Sequence, residues 1–236
     1  MKFIKKGDAD EGLLKQPTPR SYKKAKEAWA RFKKKTRKRD ATLDKCLTEQ
    51  FHICAYSEIK LEKQKLGYHI DHVIPKKVKP NFTFEHNNLV VSAIDDVHVR
   101  GVIREEVFGG HSKGGWYLEK AFIHPLKDGC SNYLTYNTSS GLVSSNEKLP
   151  KREQVKACLT IRKLNLNSNY LVLKRKNVLV SLNKEILNFL KNNPAELENF
   201  AREKLLPKNG QLDPFFSAKK KLFGRIGEKV AKELFK

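Results

Sequence analysis

The spacing of hydrophobic residues changes along the chain, and the first change separates a helical beginning from an irregular middle. Residues 22–35 carry an apolar side chain at every third or fourth position among lysines, which predicts an amphipathic helix. Residues 41–51 repeat this spacing and predict a second helix. Residues 1–19 contain two prolines and show no period, so we expect an extended, loosely held segment.

The residue pattern in the middle of the chain is typical of strands and loops. Residues 66–75 alternate polar and apolar side chains and end in proline, which predicts a β-strand. Residues 52–60 suit a short strand or a knuckle-like turn, and 79–88 read as loop. The pattern of 89–100 leaves a turn and a helix start both open. Residues 132–145 predict a short hairpin.

From residue 151 onward the apolar spacing is helical again. Helices are predicted over 169–193 and, with strong amphipathic character, over 215–235. The fold class is therefore α+β, with a β-containing unit between helical ends. The predicted regions are a basic helical part at 1–50, a β-containing unit at 51–125 and a mainly helical part at 126–236.

Charge narrows the range of partners. The 236 residues include 48 Lys+Arg against 26 Asp+Glu, a net charge of +22, and 20–39 hold eleven of the basic residues with one acid. Such an excess favours a polyanion, chiefly nucleic acid. The sequence offers no apolar run long enough to span a membrane and no regular cysteine pairs, so we expect a cytoplasmic protein with reduced thiols.

Candidate chemistry concentrates in the middle unit. All seven histidines lie between positions 52 and 124. Histidine is a common metal ligand and a general base near neutral pH. In the segment HIDHVIPKK, His69 and Asp71 share one face of the predicted strand, and His72 points to the other.

These residues resemble a known family. The segments HICAYSEIK, HIDHVIPKK and TFEHNNLVVSAIDDVHVRG are similar to the HNH endonucleases, whose ββα-metal unit joins two strands, a loop and a helix. The opening MKFIKKG and the later segments FIHPLKDGCSNYLTYNTSSGLV and TIRKLNLNSNYLVLKRK resemble one branch, the PtuB-like nucleases of Septu and retron antiphage systems.

The resemblance implies a role for each motif residue. His72 matches the general base, Asp71 matches the metal ligand beside it, and Asn88 matches the asparagine that orients the base. His69 is expected to be a structural support. An ungapped count places Val97 where the third motif residue should stand. Valine cannot bind a metal, so we assign His98 to that role by a local shift.

Asp95 and Asp96 are the alternatives for the third motif residue. One carboxylate and one imidazole suit a single Mg²⁺ or Mn²⁺ ion. Many relatives brace this unit with two CxxC pairs, whereas this chain offers Cys54 alone in the corresponding places, so no structural zinc is expected.

Basic residues supply candidate phosphate contacts. The expected set consists of lysines that follow the motif and cations of the N-terminal basic tract: Lys76, Lys77, Lys79, Lys33, Lys34, Lys35, Arg37, Lys38 and Arg39. Such contacts bind the backbone without reading base sequence.

The overall expectation is a metal-dependent nuclease that cuts DNA or RNA, tRNA included. The resemblance implies a PtuA-like ABC-type ATPase as partner, and in retron systems a reverse transcriptase with its DNA. Two alternatives stay open. One is a non-catalytic nucleic-acid binder built on a degenerate HNH unit, and the other is an adaptor whose C-terminal helices dock the ATPase.

Overall fold

The computed structural model describes residues 1–235. It confirms the α+β class, with helices over about 51 % of the chain and two small antiparallel sheets. In chain order the helices and strands of this part are α1 (Glu11–Leu14), α2 (Tyr22–Lys34), α3 (Thr36–Glu49), β1 (Tyr68–His72), β2 (Leu89–Ala93), α4 (Gly110–Lys113), β3 (Leu134–Tyr136), β4 (Val143–Ser145), α5 (Lys151–Lys163), α6 (Asn169–Asn192), α7 (Leu197–Leu205), α8 (Phe216–Leu222) and α9 (Gly224–Ala231).

The two predicted N-terminal helices are present, although the second begins earlier than expected. Helix α2 starts at the Ser21 side chain, which accepts a hydrogen bond from the Lys24 amide, and it buries Trp29 and Phe32. Helix α3 begins at Thr36 rather than at 41. Its first turn is polar and basic, so it carries no apolar period by which the sequence could reveal it.

The expectation that residues 1–19 are loosely held is wrong for the first of them. Met1 and Ile4 are buried in the main core, at 1 % and 3 % exposure, and the Ile4 amide donates to the carbonyl of Pro125. Leu13 of the short helix α1 is buried against the same core. The segment has no internal period because its partners lie far away in sequence.

A short hairpin of β1 and β2 carries the candidate site. The strands pair antiparallel, with Asp71 opposite Val90 and His72 opposite Leu89. All five residues of β2 are buried, so the strand lacks the alternation that would have identified it. The predicted loop 79–88 forms two short 3-10 turns, and residues 52–60 form a turn closed by an Ile53–Lys60 bridge.

The C-terminal half is a helical layer, and its last predicted helix is divided. Helices α8 and α9 meet at Gly224, whose φ of +59° ends the first helix, so 215–235 is not one continuous helix. The hairpin predicted over 132–145 is present as β3 and β4. Helix α6 buries Leu171 and Leu179, whereas Leu173 is 60 % exposed.

The main buried cluster draws side chains from all three predicted regions, from Met1 to Ala218. A second cluster joins the C-terminal half of α6 to α7, α8 and α9. Within residues 1–235, no helix combines the length and the apolar character needed to cross a membrane.

Candidate active site

A cleft of about 670 Å³ opens between β1, helix α2 and helix α4. Three of the sequence-predicted residues of the HIDHVIPKK segment, Asp71, His72 and Lys76, line it together. Its other functional side chains are two histidines, three acids, three basic residues and a tryptophan: His69, His111, Asp40, Asp95, Asp96, Lys33, Arg39, Lys63 and Trp29.

The Asp71 carboxylate is fixed by contacts with Tyr56 and Lys113. Its Oδ2 accepts a hydrogen bond of 2.6 Å from the Tyr56 hydroxyl and lies 3.3 Å from the Lys113 ammonium. Both contacts use Oδ2, so Oδ1 is left for a ligand. Burial alone would raise the pKa of this carboxyl, but Lys113 and His69 outweigh it and hold the pKa below its ordinary value. Asp71 is therefore an anion at neutral pH.

Lys113 was not expected from the sequence. Its side chain is fully buried, and its ammonium lies 2.9 Å from the His72 carbonyl and 3.4 Å from that of Val73. It therefore links helix α4 to the end of β1 where Asp71 and His72 stand. No sequence signal distinguished this lysine from the many others in a basic chain.

His72 is a buried imidazole in a fixed tautomer. Its Nε2 lies 2.9 Å from the Thr83 carbonyl, which can only accept, so this nitrogen carries the proton and Nδ1 is bare. The ring packs edge-on against Trp29, with 4.4 Å between centroids. Burial and the nearby Lys76, whose Nζ is 3.2 Å from Nδ1, lower the pKa of His72 to about 3. The imidazole is neutral at physiological pH.

Asn88 acts on the loop rather than on the imidazole. Its amide Oδ1 accepts from the Ile74 amide at 2.7 Å, and its Nδ2 donates to the carbonyls of Ile74 and Phe82, each at 3.0 Å. These bonds tie together the two ends of the loop that ends in Thr83. Asn88 thereby fixes the carbonyl that sets the tautomer of His72.

His69 is also set in one tautomer. Its Nδ1 donates to the Ile94 carbonyl at 2.6 Å, which leaves Nε2 as an acceptor on the cleft side. Ile94 holds a φ of +67°, which is costly for a β-branched residue. This strained residue aims its carbonyl at the ring. The shared face predicted for His69 and Asp71 is confirmed, since Gly110 lies against both side chains.

His111 joins this group from helix α4, and the sequence reasoning missed it. Its ring lies 4.3 Å from that of His69, centroid to centroid. Its buried Nε2 has no hydrogen-bond partner and is 3.7 Å from Asp96 Oδ1. The two preceding glycines were the available signal. A Cβ on Gly110 would stand 2.9 Å from Asp71 Cγ, so only glycine allows helix α4 to approach this closely.

The structure does not bring His98 to Asp71. The His98 imidazole is 2.8 Å from Asp95 Oδ1, which also caps the amides of Val97 and His98, and His98 is absent from the cleft lining. Val97 does line the cleft and is 72 % exposed. After β2 the chain forms a capped 3-10 turn instead of a long helix, so the ungapped count from Asn88 does not lead to a ligand.

The predicted basic residues divide into groups. Lys33, Lys76 and Arg39 line the cleft, together with Lys63, which was not predicted. Others of the set are exposed elsewhere on the surface or only half-buried: Lys34, Lys35, Arg37, Lys77 and Lys38. Lys79 lines a different groove, on the far side of the loop that follows β1.

A second group of donors lies away from the cleft. Among residues 1–235, Cys46, Glu49 and His86 are the one group of three or more such side chains with donor atoms all within 4.8 Å of one another. The Lys6 ammonium already lies among them, 2.5 Å from Glu49 and 3.4 Å from the Cys46 sulfur. Burial also raises the pKa of Cys46, which disfavours the thiolate that a metal needs. This group could hold a metal only if Lys6 moved away.

No protein-family model matches the chain, and no curated protein matches it.

Proposed function

We propose that this protein is a metal-dependent nuclease of the HNH type that hydrolyses phosphodiester bonds. The observation that carries the proposal is the pair at the end of β1. Asp71 is an anion with one free oxygen, and the adjacent His72 is a neutral imidazole with a bare Nδ1, at one end of a cleft lined by basic residues. This is the arrangement that a general base and a metal-binding carboxylate require.

His72 is the proposed general base. Thr83 holds the ring so that Nδ1 is the unprotonated nitrogen, which would take a proton from an attacking water once Lys76 has moved away, and Asn88 fixes the loop behind Thr83. Lys76 occupies Nδ1 in the free protein. A substrate phosphate would attract the Lys76 ammonium away from the imidazole. Its negative charge would also oppose the two causes that lower the pKa of His72, so the base strengthens when substrate binds.

The residues on this side of the cleft could hold a divalent cation only if their side chains moved closer together, because their donor atoms are not all within 4.8 Å of one another. Asp71, His69 and His111 all line the cleft, the rings of His69 and His111 are 4.3 Å apart, and His111 Nε2 is a buried nitrogen without a partner. We assign them as ligands in place of His98. A bound ion would neutralise charge on the phosphate during cleavage. Two imidazoles beside one carboxylate favour Mn²⁺ over Mg²⁺.

The metal assignment can be tested by calorimetry. Asp71→Ala and His111→Ala should each weaken Mn²⁺ binding at least tenfold, whereas His98→Ala should leave it unchanged because His98 is bonded to Asp95. Loss of Mn²⁺ binding in His98→Ala with full binding in His111→Ala would restore the assignment made from the sequence.

Cleavage tests the proposed function itself. With Mn²⁺ present, the protein should cut plasmid DNA, single-stranded DNA or RNA including tRNA, and chelation should stop it. His72→Ala should lower the rate by about 10²- to 10⁴-fold with nucleic-acid binding retained. His52→Asn is the control, since His52 has a φ of +58° that asparagine tolerates. Equal cleavage by His72→Ala would overturn the assignment.

One observation favours a second candidate, a binder without catalysis. Lys113 already compensates the charge of Asp71, and the exposed Val97 stands at the cleft where a ligand was expected. A decayed unit of this kind would bind nucleic acid and show no cleavage with any divalent ion. Retained binding without metal-dependent cleavage by the wild type would decide for this candidate.

The partner proposal rests on the PtuB-like resemblance. Helix α6 exposes Leu173, Leu187 and Leu190 by more than half, which suits docking of a PtuA-like ATPase. Truncation after Leu206 would be a poor test, because Phe215 and Phe216 belong to the two buried clusters. A better test is Leu187→Glu with Leu190→Glu, which should abolish co-purification with an ATPase encoded by a neighbouring gene.

A further inference from the structure

A second groove lies behind the loop that follows β1. The loop, residues 73–88, separates it from the cleft, and the groove encloses about 530 Å³. Ile74 and Phe82 of the loop line the groove together with Tyr117, His124 and Lys127. The nuclease proposal makes no use of this surface.

The groove combines positive charge with aromatic rings. Lys5 is exposed, Lys127 is 70 % exposed, and Lys79 lies over the Phe82 ring at 4.9 Å from its centroid. Among the described lining residues, one is acidic. This is Glu119, which is 4.0 Å from Lys127 and largely in solvent. Lysines beside partly exposed rings form a surface that holds phosphates and stacks bases.

The lysines that follow β1 connect the two openings. Lys76 faces the cleft, Lys77 is exposed on the loop, and Lys79 faces the groove. A backbone that leaves the cleft past Lys76 therefore meets Lys77 and then Lys79 before it reaches Phe82. Three cations in four successive positions of one loop form a short basic path from one opening to the other.

We propose that the second groove binds single-stranded nucleic acid that continues from the cleft over this loop. The inference rests on the proposed function of the cleft and adds a substrate class to it. Phe82 and Tyr117 can stack only on bases whose faces are free, and a duplex keeps its base faces paired and stacked. Stacking on an aromatic ring accepts any base, so the groove would bind without sequence preference.

The test measures binding with a chelator present, so that no cleavage occurs. Oligo-dT and oligo-U of about 4 and about 12 nucleotides are titrated with the full-length protein. The groove variant is Lys79→Gln with Lys127→Gln. Its control is Lys184→Gln with Lys191→Gln, which removes two exposed lysines from helix α6. The cleft variant Lys33→Gln with Lys76→Gln is measured alongside.

The groove variant should bind the long oligonucleotide about 10- to 30-fold more weakly at about 0.1 M salt. Its log–log salt slope should flatten by about 1.4, because two single-strand phosphate contacts are lost. The short oligonucleotide, which the cleft alone can hold, should be unaffected. Phe82→Ala should weaken the long oligonucleotide about tenfold without changing the salt slope, since stacking releases no counterions.

The groove inference fails if the groove variant binds the long oligonucleotide as well as the control variant does. It also fails if a duplex of equal length binds as tightly as the single strand and loses as much in the groove variant. The cleft variant distinguishes the two proposals. If it binds every oligonucleotide like the wild type, the proposed nuclease cleft itself is wrong, whatever the groove variant shows.

Discussion

Asn88 offers the sharpest test of how the site is held. The Asn88→Ala change removes three hydrogen bonds made by a side chain that is 1 % exposed. Each such bond contributes about 1 kcal/mol, and the Ile74 amide is left buried without an acceptor. The free energy of unfolding should therefore fall by about 3 kcal/mol. For a chain of this size that corresponds to a Tm lower by roughly 6–12 °C.

The neighbouring residue is a matched control. Asn87 is exposed, so Asn87→Ala should change the free energy of unfolding by less than about 0.5 kcal/mol. Asn88→Asp keeps an acceptor for the Ile74 amide but places a carboxylate against two carbonyls. It should therefore be at least as unstable as Asn88→Ala. Urea and thermal denaturation followed by circular dichroism measure all three variants.

Activity provides a second measurement on the same variants. Well below its Tm, Asn88→Ala is folded, but the loop that carries Thr83 is no longer tied to the end of β1. Nuclease activity should then fall by more than the unfolded fraction explains, because the tautomer of His72 depends on Thr83. Our account of Asn88 is refuted if its alanine variant matches Asn87→Ala in both Tm and activity.

Three further predictions concern charged and close-packed positions. Burial alone would raise the pKa of Glu49, but its hydrogen bonds to His86 and Lys6 outweigh burial and lower that pKa. The stabilisation that ionised Glu49 gives the fold is therefore present above about pH 4.5 and is lost as the pH falls through the lower pKa of the folded state. Glu49→Gln should therefore flatten the decline of the urea midpoint as the pH falls below about 4.5. Lys113→Met leaves Asp71 without its buried cation and should lower the free energy of unfolding by about 3 kcal/mol. Mn²⁺ should raise the Tm of this variant more than that of the wild type, because the ion would replace the missing positive charge. An equal rise in Tm would contradict the idea that Lys113 and the ion both compensate the charge of Asp71. Gly110→Ala should lower the cleavage rate at least tenfold, because the added Cβ would push helix α4 away from Asp71. Gly115→Ala is the control, since a Cβ there meets nothing within 4 Å. Similar activities of the two variants would show that the close approach of α4 to Asp71 is unimportant.

The hairpin strand β1 could be predicted because polar and apolar residues alternate along it and Pro75 follows its end, although all five of its residues line the cleft. Its partner β2 could not, because every one of its residues is buried and its apolar run resembles a buried helix segment. The beginning of α3 was hidden for the opposite reason, since its first turn is wholly polar. A local sequence pattern identifies a helix or a strand only when polar and apolar residues recur along it with a regular period.

The sequence placed neighbouring residues of the cleft together and missed the distant ones. Asp71 and His72 adjoin in sequence, so their strand sufficed to place them together. His111 and Lys113 arrive from a four-residue helix some forty positions later, and neither periodicity nor composition marks them. His98 was chosen because an ungapped count from Asn88 led to Val97, one residue before it, yet the His98 ring is bonded to Asp95 and is absent from the cleft lining.

The contact between the Glu58 turn and helix α8 constrains the order in which the protein can mature during synthesis. Glu58 is 3 % exposed and accepts bonds from the Ser217 amide and hydroxyl, across 159 positions of sequence. The same turn holds Tyr56, whose hydroxyl supports Asp71. In a nascent chain that still lacks its last helices, the Met1 ammonium, 2.8 Å from Oε1, remains as a partner of this buried carboxylate, and the two bonds from Ser217 are missing. We therefore expect the Glu58 turn, and with it the Tyr56 support of Asp71, to reach its final arrangement only after the ribosome has released the chain, so that prematurely terminated products would lack a fully formed cleft.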